Sequence, residues 1–406
     1  MFAVTRPAGR RRLGDRGAVT AIVAVLLAGG VLLAIGAMVV DMGQLYAERQ
    51  ELLSGADAAA MVAAKACADD ANCPADLSTI TQTATAEAGL NALDGKSDAS
   101  ILCGQVNGTI FGPCPATGTT TKCLGSRPGT GNYIEVGTTT RTADGKTLLP
   151  PTFGGALLGS QYQGLQVAAC ARVAWGAPSS AIAFPVMISL CSWQNATNGG
   201  TTYAPPSANW TATDPVNSLE QMLYARWSGC QSSSSSANDD FAILTSISNC
   251  TSGQPITAGT DVLGYPAATI KAVSTSLYCQ GQTIQEWFQQ FFNMLFSTPG
   301  PSPHTVNVAV YDSTTTSGPP LLCGLRLFNA FCQYYYHIVG FAAIVITGGV
   351  FGTAGGPSWR TLQACGIPIL NTFIDPCFTG FFVTGKLSGT VGSGGSYGAT
   401  AFQQVG

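Results

Sequence analysis

The chain has 406 residues, of which 46% are hydrophobic and 10% are charged, and its formal net charge is −3. This length is enough to bury one large or two medium hydrophobic cores, and the composition is not that of a highly charged disordered protein. Five arginines stand in residues 1–17, so the remainder of the chain is net negative and lacks the clustered basic residues that a nucleic-acid backbone requires.

Residues 1–17 form a basic leader, which precedes a run of 23 uncharged residues at positions 18–40. A helix needs about 20 predominantly apolar residues to cross the hydrocarbon core of a bilayer. The sequence therefore predicts a single transmembrane helix with the leader in the cytoplasm, because positive charge favours the cytoplasmic side. The region after Asp41 is then extracytoplasmic. A cleaved signal peptide is the alternative, although its apolar region is usually shorter, about 7–15 residues.

The helix is predicted to continue beyond the membrane, so that it covers residues 18–66. Apolar residues recur at spacings of three and four from Met42 to Ala60, and positions 58–64 are rich in alanine, the best helix former. Within the uncharged run, Gly30 and Ala34 have the small-xxx-small spacing that lets two membrane helices approach closely. Asp41 stands at the membrane exit, where it either ends the span or pairs with the membrane helix of a partner.

The residues around this helix carry a family pattern. The pair Arg16-Gly17 precedes the apolar run, Asp41-Met42-Gly43-Gln44-Leu45-Tyr46 follows it, and Ala56-Asp57-Ala58-Ala59-Ala60 lies further along the helix. This pattern resembles the N-terminal segment of TadE/TadG-like proteins of the tight-adherence (Flp) pilus-assembly system. The resemblance implies a place in pilus assembly, with pilin-like or pilus-assembly proteins as partners of the helix.

Two further segments, residues 308–312 and 336–343, resemble parts of larger TadE/TadG-like proteins with cysteine-rich exteriors. Processed pilins of this system carry a glutamate five residues after the glycine at which they are cleaved. Ile22 occupies that place after Gly17 in this chain. The comparison with the family therefore implies that the leader is retained as an anchor.

All fourteen cysteines lie beyond residue 66, at wide spacings and without a CxxC pair, and the chain has only two histidines. Zinc sites usually use close cysteine pairs or cysteine and histidine groups, so this pattern favours disulfides formed in an oxidising compartment. Buried free thiols are the alternative. The sequence does not determine the pairing, but three pairs of neighbours are candidates for local disulfides: Cys67/Cys73, Cys323/Cys332 and Cys365/Cys377.

The predicted fold is α+β, with the long N-terminal helix followed by a disulfide-stapled, mostly β region. Residues 67–178 are predicted to form a cysteine-bearing mixed or β region, and residues 179–386 a larger β-rich domain. Alternating or short apolar runs predict strands at 184–190, 305–311 and 337–346, and helical spacing of aromatic residues predicts a helix over 285–296. Residues 387–406 are rich in glycine and serine and are predicted to be a flexible tail.

Three motifs suggest chemistry but lack a required part. Residues 394–398 match a nucleophile elbow around Ser396, yet no histidine follows. Residues 380–386 match GxxxxGK, but Leu387 replaces the hydroxyl residue of a phosphate-binding loop. Asp312-Ser313-Thr314-Thr315-Thr316 after a strand is similar to the metal-binding motif of an adhesion domain, but too few residues follow for that domain.

The sequence therefore predicts a membrane-anchored structural or assembly component of a tight-adherence pilus, similar to a minor pilin and exposed on the cell surface. It predicts no enzyme, cofactor, nucleic-acid partner or small-molecule substrate. Gly17, Gly30, Ala34, Asp41, Tyr46 and Asp57 are the candidate residues of the anchor and assembly helix. A cell-surface adhesin with the same anchor is one alternative, and a surface hydrolase with an unrecognised site is another.

Overall fold

The computed structural model describes an α+β protein in which strands predominate. The described residues are 16–406 except 71–72, 115–122, 124, 130, 143, 154, 156–162, 205–220, 225–239, 245–253, 268–277, 280–281, 284–285, 287–289, 291–304, 319–331, 352–353 and 356–376. The helix predicted over 285–296 lies almost entirely outside these residues.

The N-terminal helical region is divided into two helices, α1 (Arg16–Ala28) and α2 (Val31–Asp69). The prediction of one continuous helix over 18–66 is therefore wrong. Gly30 interrupts it with φ 71° and ψ 4°, a left-handed conformation that glycine adopts without steric cost. Two shorter helices follow, α3 (Leu77–Leu90) and α4 (Leu190–Thr197).

Among the helices that the structure describes, none combines the length and the apolar character that crossing a membrane demands.

Eighteen strands are present in the described part of the chain. The first nine are β1 (Ser97–Val106), β2 (Thr109–Phe111), β3 (Asn132–Thr140), β4 (Ala168–Gly176), β5 (Pro178–Ser189), β6 (Gln221–Tyr224), β7 (Phe241–Leu244), β8 (Gln254–Thr257) and β9 (Asp261–Pro266). The others are β10 (Tyr278–Cys279), β11 (Gln282–Thr283), β12 (Thr305–Ser317), β13 (Gln333–Phe351), β14 (Ala354–Gly355), β15 (Cys377–Val383), β16 (Gly385–Val391), β17 (Gly395–Tyr397) and β18 (Ala399–Gln404). The strands predicted at 184–190, 305–311 and 337–346 correspond to β5, β12 and β13.

Sixteen of these strands form one sheet, whose main path is β2-β1-β3-β4-β18-β16-β5-β7-β9-β13-β15-β6. Strand β18 pairs antiparallel with β4 and parallel with β16, and β16 pairs antiparallel with β5. The sheet therefore continues across the predicted boundary after residue 178, which falls at the start of β5. The C-terminal strands join the two regions that the sequence separates.

The prediction of a flexible tail at 387–406 is wrong. Residues 385–404 form β16, β17 and β18, and Ala399 and Ala401 of β18 are fully buried. The glycines of this segment serve close contacts. A Cβ atom on Gly385 would lie 2.4 Å from the Cβ of Ala343, so only glycine fits where β16 begins against β13.

The second half of α2 packs on one face of the sheet formed by β1, β3 and β4. Buried alanines line this face of the helix, and α3 covers its side. The buried residues of α2 are Leu52, Ala56, Ala59, Ala60, Ala63, Ala64 and Cys67, and they contact Ile80, Ala84, Ala88, Ile134, Val136, Ala171 and Val173. A Cβ atom on Gly55 would lie 3.1 Å from the carbonyl oxygen of Ala88, so α2 and α3 approach closely at this point.

One disulfide lies at the end of α2, and two others lie on the face of the sheet opposite the helix. Cys67 is joined to Cys73 directly after the helix, Cys103 of β1 is joined to Cys114, and Cys170 of β4 is joined to Cys123. Cys191, Cys332 and Cys377 are also disulfide-bonded, and no cysteine that the structure describes is free. The candidate pairs Cys323/Cys332 and Cys365/Cys377 each include a residue, Cys323 or Cys365, outside the described residues.

A buried charge cluster lies on the face of the sheet opposite α2. Glu135 of β3 and Arg172 of β4 are each 1% exposed, and the Arg172 Nε donates to the Glu135 Oε1 at 2.7 Å. Arg127 donates to both carboxylate oxygens, at 2.7 and 3.0 Å. Burial raises the pKa of Glu135, but the hydrogen bonds and charges of both arginines outweigh it and hold the pKa below its ordinary value.

The second core lies between β5, β7, β12, β13 and β15. Strand β13 pairs antiparallel with both β12 and β15, and β12 pairs parallel with β5. Its buried residues are large and apolar, and they include Val186, Ile188, Phe241, Val308, Val310, Ile344, Phe378 and Phe382. This core stabilises the part of the sheet that lies farther along the path from α2.

Replacing Glu135 with alanine should lower the free energy of unfolding by about 3–5 kcal/mol, because two arginines would lose the carboxylate that neutralises them. The matched control is Asp98→Ala, which breaks the exposed pair of Asp98 and Arg141 in the same part of the sheet and should cost at most about 1 kcal/mol. Chemical denaturation of the full chain measures both.

The contribution of Glu135 to the free energy of unfolding should be complete above its ordinary pKa of 4.5. It should be lost as the pH falls through the lowered pKa of the folded state. The difference in the free energy of unfolding between the wild type and Glu135→Ala should therefore become smaller at acidic pH. A difference that stays constant over this range would contradict the assignment of Glu135 as an ionised buried group.

Candidate functional site: the exposed apolar helices

Helix α1 and the first part of α2 expose apolar side chains. No described side chain in residues 17–50 is buried, whereas one face of α2 is buried from Leu52 onward. The large exposed hydrophobic residues of this stretch are Val19, Ile22, Val23, Val25, Leu27, Val31, Ile35, Met38, Val39, Val40, Met42 and Tyr46. We call residues 17–46 the apolar arm. Soluble monomers rarely expose so large a contiguous apolar surface, which is typical of a contact with membrane or protein.

The break at Gly29 and Gly30 lies inside the apolar arm. The Gly29 N–H donates to the Val25 carbonyl, and the Gly30 N–H donates to the Leu27 carbonyl, three residues back. This tightened last turn ends α1, and the Ala34 N–H then donates to the Gly30 carbonyl to begin α2. Gly30 and Ala34, predicted as a contact face for partner helices, therefore stand at the break and at the start of α2.

Asp41 follows the uncharged run and binds residues of the loop between β3 and β4. Its Oδ1 accepts hydrogen bonds from the backbone N–H groups of Thr152 and Phe153, each at 3.0 Å. The Thr152 hydroxyl donates to the Gln44 Oε1 at 2.7 Å. Asp41 thus binds residues 152–153 to α2 at the point where the uncharged run ends.

Further polar contacts fix α2 to the rest of the protein beyond the apolar arm. The Thr138 hydroxyl of β3 donates to the Leu52 carbonyl at 2.8 Å, and the Glu51 carboxylate accepts from the Leu93 N–H at 2.9 Å. Burial raises the pKa of Glu48, and the hydrogen bond to Thr140 offsets part of this effect. Lys386 of β16 pairs with Asp69 at the end of the helix. The second half of α2 is therefore held by the sheet.

The other predicted helix residues lie on both parts of the helix. Gly17 lies in α1, and Tyr46 is 67% exposed at the end of the apolar arm. Asp57 lies in the second half of α2, where burial raises its pKa and a hydrogen bond to Gln404 of β18 lowers it by less. The structure therefore does not bring the six candidate residues together into one site.

The residues with suggestive motifs lie in regular strands. Ser396 is in β17 and pairs with Phe341 of β13, and residues 380–386 run through β15 and β16, where Lys386 pairs with Asp69. Asp312 to Thr316 belong to the extended strand β12, in which the Ser313 hydroxyl donates to the Asp312 carboxylate at 2.8 Å.

His337 contacts Asp261 at 2.8 Å, and His304 lies outside the described residues. No group of three or more potential metal-ligating side chains occurs within the described ranges.

Thr152 and Phe153 were not predicted as functional residues. Their contact with Asp41 spans more than 100 positions in the chain. The only local signal is Pro150-Pro151, which indicates a rigid turn but not its partner.

Residues 17–66 match the family model described as putative Flp pilus-assembly TadE/G-like. The match begins in α1, includes the whole apolar arm, and ends shortly before the end of α2. It confirms the resemblance drawn from the pattern over residues 16–66. No curated protein and no solved structure shows significant similarity to the chain.

Replacing Gly30 with alanine should favour a continuous helix, because an L-residue in the left-handed conformation costs roughly 1–2 kcal/mol and alanine prefers the right-handed helix. The distance between spin labels carried by unnatural amino acids at Ile22 and Met38 should then approach about 24 Å, which is the length of sixteen helical residues. Gly36→Ala is the matched control, since Gly36 lies inside α2 with open space around it. An unchanged separation in Gly30→Ala would show that Gly30 does not set the break.

Replacing Asp41 with alanine should release residues 152–153 from α2. The amide hydrogens of Thr152 and Phe153 should exchange faster with solvent, whereas that of Leu149, which donates to the Leu165 carbonyl, should not change. Hydrogen exchange followed by mass spectrometry or NMR measures this effect. Gln44→Ala is the control, because it removes only the bond to the Thr152 side chain, and persistent protection in Asp41→Ala would rule out the tie.

Proposed function

We propose that this chain is a membrane-anchored structural or assembly component of a tight-adherence pilus, similar to a minor pilin. The observation that carries the proposal is the apolar arm. It exposes a dozen large hydrophobic side chains within the segment that matches the pilus-assembly family. An apolar surface of this kind is stable only in lipid or against apolar protein, since its exposure to water costs roughly 25 cal/mol per Å².

The charge pattern supports a defined orientation in the membrane. The basic leader lies before the apolar arm and favours the cytoplasmic side, and the first acidic residue after the uncharged run is Asp41. The disulfides at Cys67–Cys73, Cys103–Cys114 and Cys123–Cys170 suit an oxidising, extracytoplasmic compartment. In this proposal the sheet lies outside the cell membrane.

The division of α2 supports a role in assembly. One face of its second half is packed against the protein's own sheet, whereas the apolar arm is exposed and available to partners. Open space surrounds Gly17, Gly30 and Gly36, where an added Cβ atom would contact nothing within 4 Å. Small residues allow close approach of another helix, and pilin-like proteins of the same system are the proposed partners. The proposal assigns the chain no catalytic step.

The test begins with deletion of the gene in its own host and a count of surface filaments by electron microscopy. The intact gene should restore the filaments. A gene carrying Val39→Asp should not restore them, because a charge in the apolar arm is costly in lipid or in an apolar helix contact. The substitution leaves the core untouched, because Val39 is 65% exposed.

The matched control is Ile182→Asp, an equivalent change at a residue that is 55% exposed on β5, and it should restore the filaments. Immunoblots confirm equal protein levels. Full filament counts in the deletion strain would overturn the proposed role in assembly. Unchanged filaments with reduced attachment to surfaces would favour the adhesin instead.

A further inference from the structure

We infer that the two described arms of the loop between β3 and β4, residues 149–153 and 163–167, form a second contact with the membrane. They hold Phe153 and Leu165 in the interfacial layer of the bilayer, beside the point where α2 leaves the apolar region. The inference rests on the proposed membrane anchorage and adds to it a lipid contact outside the family-matched segment.

The base of the loop is held rigidly by the sheet. Leu149 and Leu165 exchange both backbone hydrogen bonds, at 2.9 and 3.4 Å, and the Thr140 N–H of β3 donates to the Val167 carbonyl at 3.0 Å. Gly164 has φ 112°, and any side chain there would collide with the Leu149 carbonyl oxygen. The two arms therefore keep a fixed position relative to β3.

The tip of the first arm is held by α2. Two backbone N–H groups, those of Thr152 and Phe153, donate to one oxygen of Asp41, and Gln44 accepts from the Thr152 hydroxyl. Hydrogen bonds to an ionised acceptor are stronger than neutral ones. The loop is thus fixed at the residue where the uncharged run of the apolar arm ends.

The loop presents apolar side chains at this level instead of burying them. Phe153 is 47% exposed and Leu165 is 48% exposed. Residues 147–171 contain no charged residue, whereas Arg141, Asp144 and Lys146 stand just before them. The two constrained arms, with no charged residue and an exposed aromatic ring, match the chemistry of the membrane interface, and Tyr46 on the neighbouring helix is also exposed.

Lipid fits this surface better than water because residues 152–153 are bound to α2 at Asp41, within the apolar arm. Leu93, which is also exposed near α2, does not share this setting. Leu93 donates its N–H to Glu51, which lies ten residues beyond Asp41, or about 15 Å along the helix, and Asp94 and Lys96 stand beside it. Leu93 therefore provides a control position, with a similar side chain farther along the axis of α2.

The test uses the full chain in phospholipid vesicles whose acyl chains are brominated near the headgroup end, because bromine quenches tryptophan fluorescence on contact. The fluorescence of Phe153→Trp, corrected by subtraction of the wild-type signal, should be largely quenched. That of Leu93→Trp should not be quenched. Leu165→Trp gives a second reading of the loop, and adding Asp41→Ala to Phe153→Trp should weaken the quenching, since the tie to α2 is lost.

Alkaline carbonate extraction separates failure of this inference from failure of the proposed function. Protein that stays with the vesicles while Phe153→Trp and Leu165→Trp remain unquenched would overturn the loop contact and leave the anchorage intact. Protein that is released by carbonate would overturn both. Equal quenching at Leu93 and Phe153 would also overturn the loop contact, because it would place the whole surface of the sheet against lipid.

Discussion

The close packing of α2 on the sheet and on α3 is the constraint on which the rest of the structure depends. Alanine lines the buried face from Ala56 to Ala64, and a side chain at Gly55 would press against the backbone of Ala88. Because alanine has no side chain beyond Cβ, the helix lies close to both neighbours and its orientation is fixed. The point where this packing begins, near Leu52, determines which part of the helical region projects from the protein.

The opposite face of the same sheet is stabilised differently. Few large apolar residues are available there, and a carboxylate, two arginines and two disulfides take the place of a hydrophobic layer. A buried carboxylate without a partner would cost several kcal/mol, but Glu135 has both Arg127 and Arg172. Covalent and ionic contacts therefore stabilise this face, where few apolar side chains are buried.

The sequence predicts those features that depend on residues close together in the chain. Helical spacing and alanine content predicted α2 to residue 66, and the structure ends it at Asp69. Alternation of Val306, Val308 and Val310 predicted β12. Cys67 and Cys73, six residues apart, were a candidate local pair, and they are joined. In each case the cause of the structure lies within a few turns or residues of its effect.

Features that depend on distant residues were missed. Hydropathy does not distinguish a continuous apolar helix from one that is broken at Gly30, since glycine accepts both conformations. The Gly- and Ser-rich composition of residues 387–406 is typical of flexible segments, yet β18 is ordered by pairing with β4 and β16. The part of the candidate site made by Thr152 and Phe153 was missed for the same reason, because no local pattern identifies Asp41 as their partner.

The position of β18 between β4 and β16 has a consequence for biosynthesis. Strand β4 is synthesised long before β18, the neighbour that covers its free edge near residue 400. Until then the edge of β4 offers unpaired backbone groups to any other extended chain, which is a known route to aggregation. The first region completes its sheet only through a pairing between strands far apart in the chain, which is the kind of contact that slows folding.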